Sequence, residues 1–271
     1  MNNVLKTRER RKAENLSKIP EFTLMDDTYM NAFFNEQPEL VQFVLRIIMN
    51  KKNLIVKRSF IQKQLKSIQG RSITLDVDAV DDDEAEIDIE MQGETGGAHP
   101  KRARFHSSMI DSNALVQNED FTNLPETYVI FITSKDYFGK GLPLYTINRR
   151  IDELDMALFG DDEHIIYVNG EYIDDTPLGK LMHDFKCKDP NEMFYKPLAD
   201  RAYTLKETEG GRDTVCRIMD EIGKDYAKEA LLDAAMKMLS DGALSYEKIA
   251  QYSGLTLEEV QELAKEVNVN A

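Results

Sequence analysis

With 271 residues, 42% of them hydrophobic, the chain is long enough for one sizeable core and a smaller appendage. Its 34 Lys and Arg against 49 Asp and Glu give a net charge of −15, which argues against a uniformly basic nucleic-acid binder. Two cysteines without paired spacing, four scattered histidines and no apolar run of membrane length exclude a disulfide scaffold, a zinc module and a helical membrane protein; without a signal-peptide core, the expected location is the cytoplasm.

Residues 1–19 form a basic arm in which Lys6, Arg8, Arg10, Arg11, Lys12 and Lys18 outnumber Glu9 and Glu14. Thr23–Phe34 reads as a helix start, with Asp26 or Asp27 at the N-cap before Met30, Phe33 and Phe34. Glu39–Met49 is apolar enough for a core helix. Asn53–Gln69 carries some strand character at Leu54, Val56 and Phe60. From Lys51 to Arg71 there are seven Lys or Arg and no acid, so one face can still present positive charge to DNA. Ile73–Gln92 alternates apolar and acidic residues, the period of a two-stranded hairpin with one buried side. After a Gly-containing loop at Gly93–Pro100, Lys101–Gln117 has helical spacing. Phe105, Met109 and Ile110 form its apolar set, and Lys101, Arg104 and Ser108 run along another side.

Tyr128–Thr133 is a continuous apolar run that fits a strand covered on both faces. Leu142–Ile147 is strand-like, and HIIYVNGEYI reads as a hairpin turning at Asn169-Gly170. Thr176-Pro177 opens a helix through Lys186, and Asp189-Pro190 opens another. Gly210-Gly211 breaks the chain before a long helical pattern over Arg212–Leu239, which ends near Gly242. Ser245–Val267 holds two short helices around Gly254, the second opened by a Thr256–Glu259 capping box. Ile249, Ala250, Gly254, Val260 and Leu263 have helix-turn-helix spacing. Glu258, Glu259, Glu262 and Glu266 against Lys265 would nevertheless repel phosphate, so a packing or partner-binding pair is expected. The resulting organisation is an arm over 1–19, a main domain over 20–206, a long helix over 207–242 and a helix-turn-helix-like pair over 243–271, with homo-oligomers forming through the C-terminal helices.

The hairpin carries the chemistry. Ile73, Leu75, Val77 and Ala79 share one face of its first strand, and Ile87, Ile89 and Met91 one face of its second. With the turn centred near Asp83, Asp76 falls opposite Glu90, and such pairs hold their Cβ atoms roughly 4.5–5.5 Å apart. Two carboxylates that close repel unless a cation lies between them, and hard oxygen ligands suit Mg²⁺. A bound ion requires that the two carboxylates face each other and that no arginine already neutralises them. Gln92 lies on the same face as Glu90. Asp78 and Asp88 share that face a step away and are expected to be solvated, as is the acidic turn Asp81–Glu84.

The pattern Asp76, Glu90, Gln92 sits among LMDDTYMNAFF, GRSITLDVDAV, IDIEMQ, PKRARFHSSMID, LPETYVIFIT, GKGLPLY, HIIYVNGEY and GKLMHDFKCKDPNEM. In this ordered series the chain resembles the Rpn-type PD-(D/E)XK nuclease family transposases, recombination-promoting nucleases, over nearly its whole length. The resemblance implies an α/β fold: a restriction-endonuclease-like mixed central sheet with flanking helices, here followed by an α-helical C-terminal extension. It also implies Mg²⁺-dependent hydrolysis of DNA, with Mn²⁺ able to substitute, Asp76 and Glu90 as ligands, the Met91 carbonyl as a further one, and Asp27 at the family's early acidic position. Gln92 stands where the superfamily has lysine. Its amide can place a water but cannot carry charge or move a proton. A cation from the next helix is then needed; Lys101 and Arg104 are the nearest candidates, Arg104 matching the arginine of the family's K-R-A-R-Y-Y stretch and His106 its second tyrosine. His106 itself reads as a surface or core histidine. The leading expectation is a DNA endonuclease. Gln92 and the acidic total also admit a relative whose chemistry has lapsed and that binds DNA or protein, or, more remotely, an acidic metal-buffering surface.

Overall fold

The computed structural model describes residues 10, 12–65, 72–93, 95–116 and 118–269. Residues 1–9 and 11 of the basic arm, and Lys66 and Arg71 of the basic stretch, lie outside the described residues. The chain divides into one unit of residues 1–67 and 72–216 and another of residues 68–71 and 217–271.

The first unit is built on a mixed sheet of β1 (Val56–Leu65), β2 (Ile73–Asp81), β3 (Glu86–Gln92), β4 (Thr127–Thr133), β5 (Leu144–Ile147) and β8 (Glu163–Asn169), in the order β1-β2-β3-β4-β8-β5. The pairs β1–β2, β2–β3 and β8–β5 are antiparallel; β3–β4 and β4–β8 are parallel. Two short strands, β6 (Arg150–Ile151) and β7 (Ala157–Leu158), pair separately. Every residue of β4 is buried, so both faces of the sheet centre are covered, as its unbroken apolar run requires. On one face the helix Pro100–Ala114 packs Ala103, Met109 and Ile110 against Leu75, Val129, Phe131 and Tyr167. Full burial of a side chain such as Leu75 or Phe131 is worth about 1.5–3 kcal/mol. Helices Asp27–Phe34, Pro38–Ile48, Pro177–Lys186 and Lys196–Glu207 pack on one another, and the first two also pack on β1. Flanking helices on a mixed sheet give the α/β fold expected from the sequence.

The β2–β3 turn is made by Asp81, whose Oδ1 accepts from Asp83 N at 3.0 Å and from Ala85 N at 2.9 Å. A short side chain that bonds its own backbone two residues on is what tightens such turns. Asp81 is therefore buried, although its three acidic neighbours are exposed.

Several local expectations fail for identifiable reasons. Asn169-Gly170 closes no hairpin: β8 runs parallel to β4, and Gly170 N donates instead to Thr133 O at 2.8 Å. Asp26 is the N-cap residue of its helix but bonds backwards to Thr23 N, at 2.7 Å, not to the helix. Gly210 and Gly211 do not break the chain; they lie in the first turn of the helix Glu209–Asp241. A Cβ on Gly211 would stand 1.9 Å from the Thr204 carbonyl oxygen, so glycine lets one helix follow the other closely.

In the second unit, helices Tyr246–Ser253 and Leu257–Val269 pack around Ile249, Leu255, Val260 and Leu263, with Ala235 of the long helix. Gly254 takes a left-handed φ of 77° at the C-cap. Thr256 and Glu259 form the capping box: Thr256 N donates to Glu259 Oε2 at 2.9 Å, and Glu259 N to Thr256 Oγ1 at 3.2 Å. No helix among the described residues is long and apolar enough to cross a membrane.

Candidate active site

The register Val77↔Ile89 and Asp78↔Asp88, carried one step further, places Asp76 opposite Glu90. The ladder stops there, and the two carboxylates take over its donors. Asp76 N donates to Glu90 Oε1 at 3.1 Å, and Met91 N donates to Asp76 Oδ2 at 3.0 Å. Each acid is thus tied to the backbone of the other strand. Asp76 Oδ1 also accepts from Gln62 Nε2 at 3.3 Å; the same amide donates to the buried Asn31 at 3.2 Å. Gln62 lies within β1 at a φ of +55°, a conformation that a non-glycine residue holds only when its surroundings impose it.

Asp88 and Glu90 do not open to water, because the helix Pro100–Ala114 lies over them. That helix opens with His99, whose Nδ1 accepts from Lys101 N at 3.0 Å, and with Pro100 at its first position. Arg102 and His106, one turn apart, consequently point at β3. Arg102 Nη2 donates to Glu90 Oε2 at 2.6 Å, and His106 Nδ1 lies 2.9 Å from Asp88 Oδ2 and 3.7 Å from Glu90 Oε1. Asp88, Glu90 and His106 bring one donor atom each within 4.8 Å of one another; Asp76 is not part of that group. Asp78 is buried as well and pairs with Lys63 at 2.8 Å. The solvation expected for Asp78 and Asp88 is therefore overturned.

Of the basic residues opening this helix, Arg102 meets the acids. Lys101 and Arg104 are exposed, and so is Phe105, which drops out of the expected apolar set. The inward stripe is Arg102, Ala103, His106, Ser107 and Ile110. A spacing of four between Arg102 and His106, beside the apolar Ala103 and Ile110, was the signal available for it. Asp27 is an exposed residue at the start of its own helix; its carboxyl is raised by partial desolvation and by Asp26, and its charge in turn helps raise Asp76.

Burial first, and mutual repulsion second, hold these carboxyls towards their neutral forms. Asp76 is pushed up to about 6, mainly by burial. Asp88 is raised well above its ordinary value by burial and by the charges of Asp76 and Asp78, and Glu90 by burial and by Asp88 and Asp76. Arg102 works against all of them and against Asp27. Asp88 Oδ1 is buried and accepts no hydrogen bond from the described residues. A surplus of buried oxygen donors over cations, with one oxygen unserved, fits a divalent metal ion. Asp88, Glu90 and His106 are the residues here whose atoms converge closely enough to hold one. One condition set for a bound ion is not met: Arg102 already neutralises one oxygen of Glu90, at 2.6 Å.

Gln92 closes the site. Its Oε1 is 3.4 Å from Arg102 Nη1, which also reaches Gly97 O at 3.3 Å, and its Nε2 is 3.5 Å from Glu90 Oε2. A Cβ on Gly97 would fall 1.7 Å from Gln92 Oε1, so only glycine leaves that amide in place. Gly97→Ala is expected to displace the Gln92 amide and lower any hydrolysis by about 100-fold. Parallel activity and melting measurements check this, with the thermal midpoint moving by only about 2–4 °C.

A family model described as PD-(D/E)XK nuclease family transposase matches residues 33–169. That span contains Asp76, Asp88, Glu90, Gln92, Arg102 and His106, and leaves Asp27 outside. No curated protein and no solved structure matches the chain.

Proposed function

The chain belongs to the PD-(D/E)XK nuclease family transposases, and from that premise we propose that it is a Mg²⁺-dependent DNA endonuclease. The observation that carries the proposal is the pairing of Asp76 and Glu90 across the frayed end of the hairpin, where each bonds the other strand's backbone. In this reading Asp76 and Glu90 are the metal ligands, with Asp27 close enough to add its charge. A bound Mg²⁺, or Mn²⁺ in its place, would supply an activated water and neutralise phosphate charge. Gln92 offers an amide that can hold a water or phosphate oxygen in position, but no group that takes the proton. Lys101 and Arg104, exposed at the helix start, would meet the DNA backbone as charge contacts. Association of copies through the C-terminal helices belongs to the same proposal, supported by the exposed Leu231, Tyr246, Tyr252 and Leu257.

The test is a supercoiled-plasmid nicking assay with Mg²⁺, with Mn²⁺ and with chelator. Nicking in both metals and none in chelator is the expected result; metal-independent nicking, or none in any condition, overturns the proposal. A second reading, a relative that binds DNA or protein without cutting, is favoured by the Arg102–Glu90 ion pair together with Gln92 in place of lysine. Calorimetric titration separates the two, since a chain that takes up neither Mg²⁺ nor Mn²⁺ is the non-cutting one.

A further inference from the structure

An arginine side chain has five N–H donors and no acceptor, so each of its contacts fixes a hydrogen. Four of Arg102's five are committed: Nε to His106 Nε2 at 3.2 Å, Nη1 to Gln92 and to Gly97 O, and Nη2 to Glu90. The fifth, on Nη2, has no partner among the described residues. The Arg102 side chain is 40% exposed, whereas Glu90 beneath it is fully buried. The guanidinium therefore lies between the buried acids and solvent, with one donor open.

His106 is the reason it is held there. Because Arg102 Nε can only donate, His106 Nε2 must accept, and the proton of a neutral ring then sits on Nδ1, which faces Asp88 Oδ2 at 2.9 Å. Asp88, His106 and Arg102 form one chain of hydrogen bonds in which the carboxylate fixes the ring and the ring fixes the guanidinium. The first two members are buried, and these hydrogen bonds offset the cost of burying them.

We propose that Arg102 is the cation presented to the scissile phosphate, and that His106, braced by Asp88, is the positioning residue that aims it. The proposal rests on the nuclease reading above. It gives the chain a guanidinium where Gln92 leaves no charge, and the open Nη2–H can donate to a phosphate oxygen while the cation offsets its charge.

The experiment uses the full chain. Plasmid nicking with Mg²⁺ is measured for wild type, Arg102→Ala, His106→Gln and His106→Phe, beside Glu90→Ala. Arg102→Ala should lose about 10³-fold in turnover, with a smaller change in KM. His106→Gln keeps an acceptor for Arg102 and a donor for Asp88 and should stay within about tenfold of wild type, while His106→Phe, which keeps only the volume, should lose about 100-fold. In chelator, ¹⁵N spectra should show His106 protonated on Nδ1 and a slowly exchanging Arg102 Nε–H that disappears in His106→Phe. Equal nicking by wild type, Arg102→Ala and His106→Phe, with Glu90→Ala inactive, overturns the proposal and leaves the nuclease reading standing. A ring protonated on Nε2 overturns the brace whatever the activity. Loss of calorimetric Mn²⁺ binding in His106→Gln would make His106 a ligand and also overturn it. A wild type that does not nick under any metal is the distinguishable case in which the nuclease reading fails and takes Arg102's catalytic role with it.

Discussion

Replacing Glu90 by Gln or Asp76 by Asn is expected to abolish metal-dependent nicking, a loss of at least about 10³-fold, while leaving the fold intact. These isosteric changes remove charge and keep one oxygen of each carboxylate, so one of the two donors that each acid serves is left facing an amide NH2. Glu90→Gln retains an acceptor for Arg102 or for Asp76 N, and Asp76→Asn an acceptor for Met91 N. Both acids are held in an environment that disfavours their charge, which offsets the lost contact, so the neutral versions should still fold. Activity should then vanish while the fold persists, a result that a merely structural role cannot produce. Alanine is the cruder probe, because Glu90→Ala also leaves the Arg102 guanidinium against a buried surface without its partner. Nicking by Glu90→Gln and Asp76→Asn at the wild-type rate would remove these two residues from the chemistry.

How far the site can be read from sequence follows from what periodicity encodes. Alternation over Ile73–Gln92 suggests which residues share a face, and counting about Asp83 puts Asp76 across from Glu90; the register runs to Val77↔Ile89, one step short of that pair, while Ile73 and Leu75 cluster with Ala103 and Phe131 on the side that covers Glu90. Alternation cannot say what covers each face. An acidic face on a hairpin is usually wet, but the helix that folds over from Pro100 sets His106 on Asp88, and Lys63 of β1 pairs with Asp78, so both acids are buried. The same blindness applies to Arg102. Lys101 and Arg104 look better placed when the helix is anchored on Phe105, but the helix rotates so that Ala103, His106 and Ile110 face the sheet and Phe105 faces out. A histidine and an arginine four residues apart do not register as apolar, so a stripe containing them is invisible to a hydrophobic pattern. The glycines mislead in the opposite direction. Gly210 and Gly211 resemble a break, yet Gly211 N is taken by Thr208 Oγ1 at 3.0 Å and the helix proceeds. The fold was legible because cores are apolar and periodic; the site's inner ring was not, because it is a buried polar cluster.

That cluster also dictates how the folded chain should respond to pH in chelator: its thermal midpoint should fall as pH rises from about 5 to 8. Asp76 titrates near 3.8 when unfolded and near 6 in the fold. Between those values the native chain binds more protons than the unfolded one, so the stability gradient with pH is negative. The contribution is fully present below the unfolded value and is lost as pH climbs through the folded value. Two pK units correspond to roughly 3 kcal/mol from this group, of which about half is lost above pH 5, a few degrees in midpoint at about 2–4 °C per kcal/mol. Asp88 and Glu90, raised well above their ordinary values, shift in the same direction and extend the loss above pH 6. For Asp88 the proton has an evident home on Oδ1, the oxygen that accepts nothing, since Oδ2 faces His106. Asp88→Asn should therefore flatten the dependence. A divalent ion that binds the deprotonated acids should restore the midpoint at pH 8 and do little at pH 5, because ligation competes with protons. Differential scanning fluorimetry across this range, in chelator and in 5–10 mM Mg²⁺ (about the excess that linkage requires of a weak site), measures all three effects. A midpoint that is flat or rises between pH 5 and 8 in chelator, or one indifferent to Mg²⁺ at pH 8, would mean that the buried acids neither hold protons nor wait for a cation.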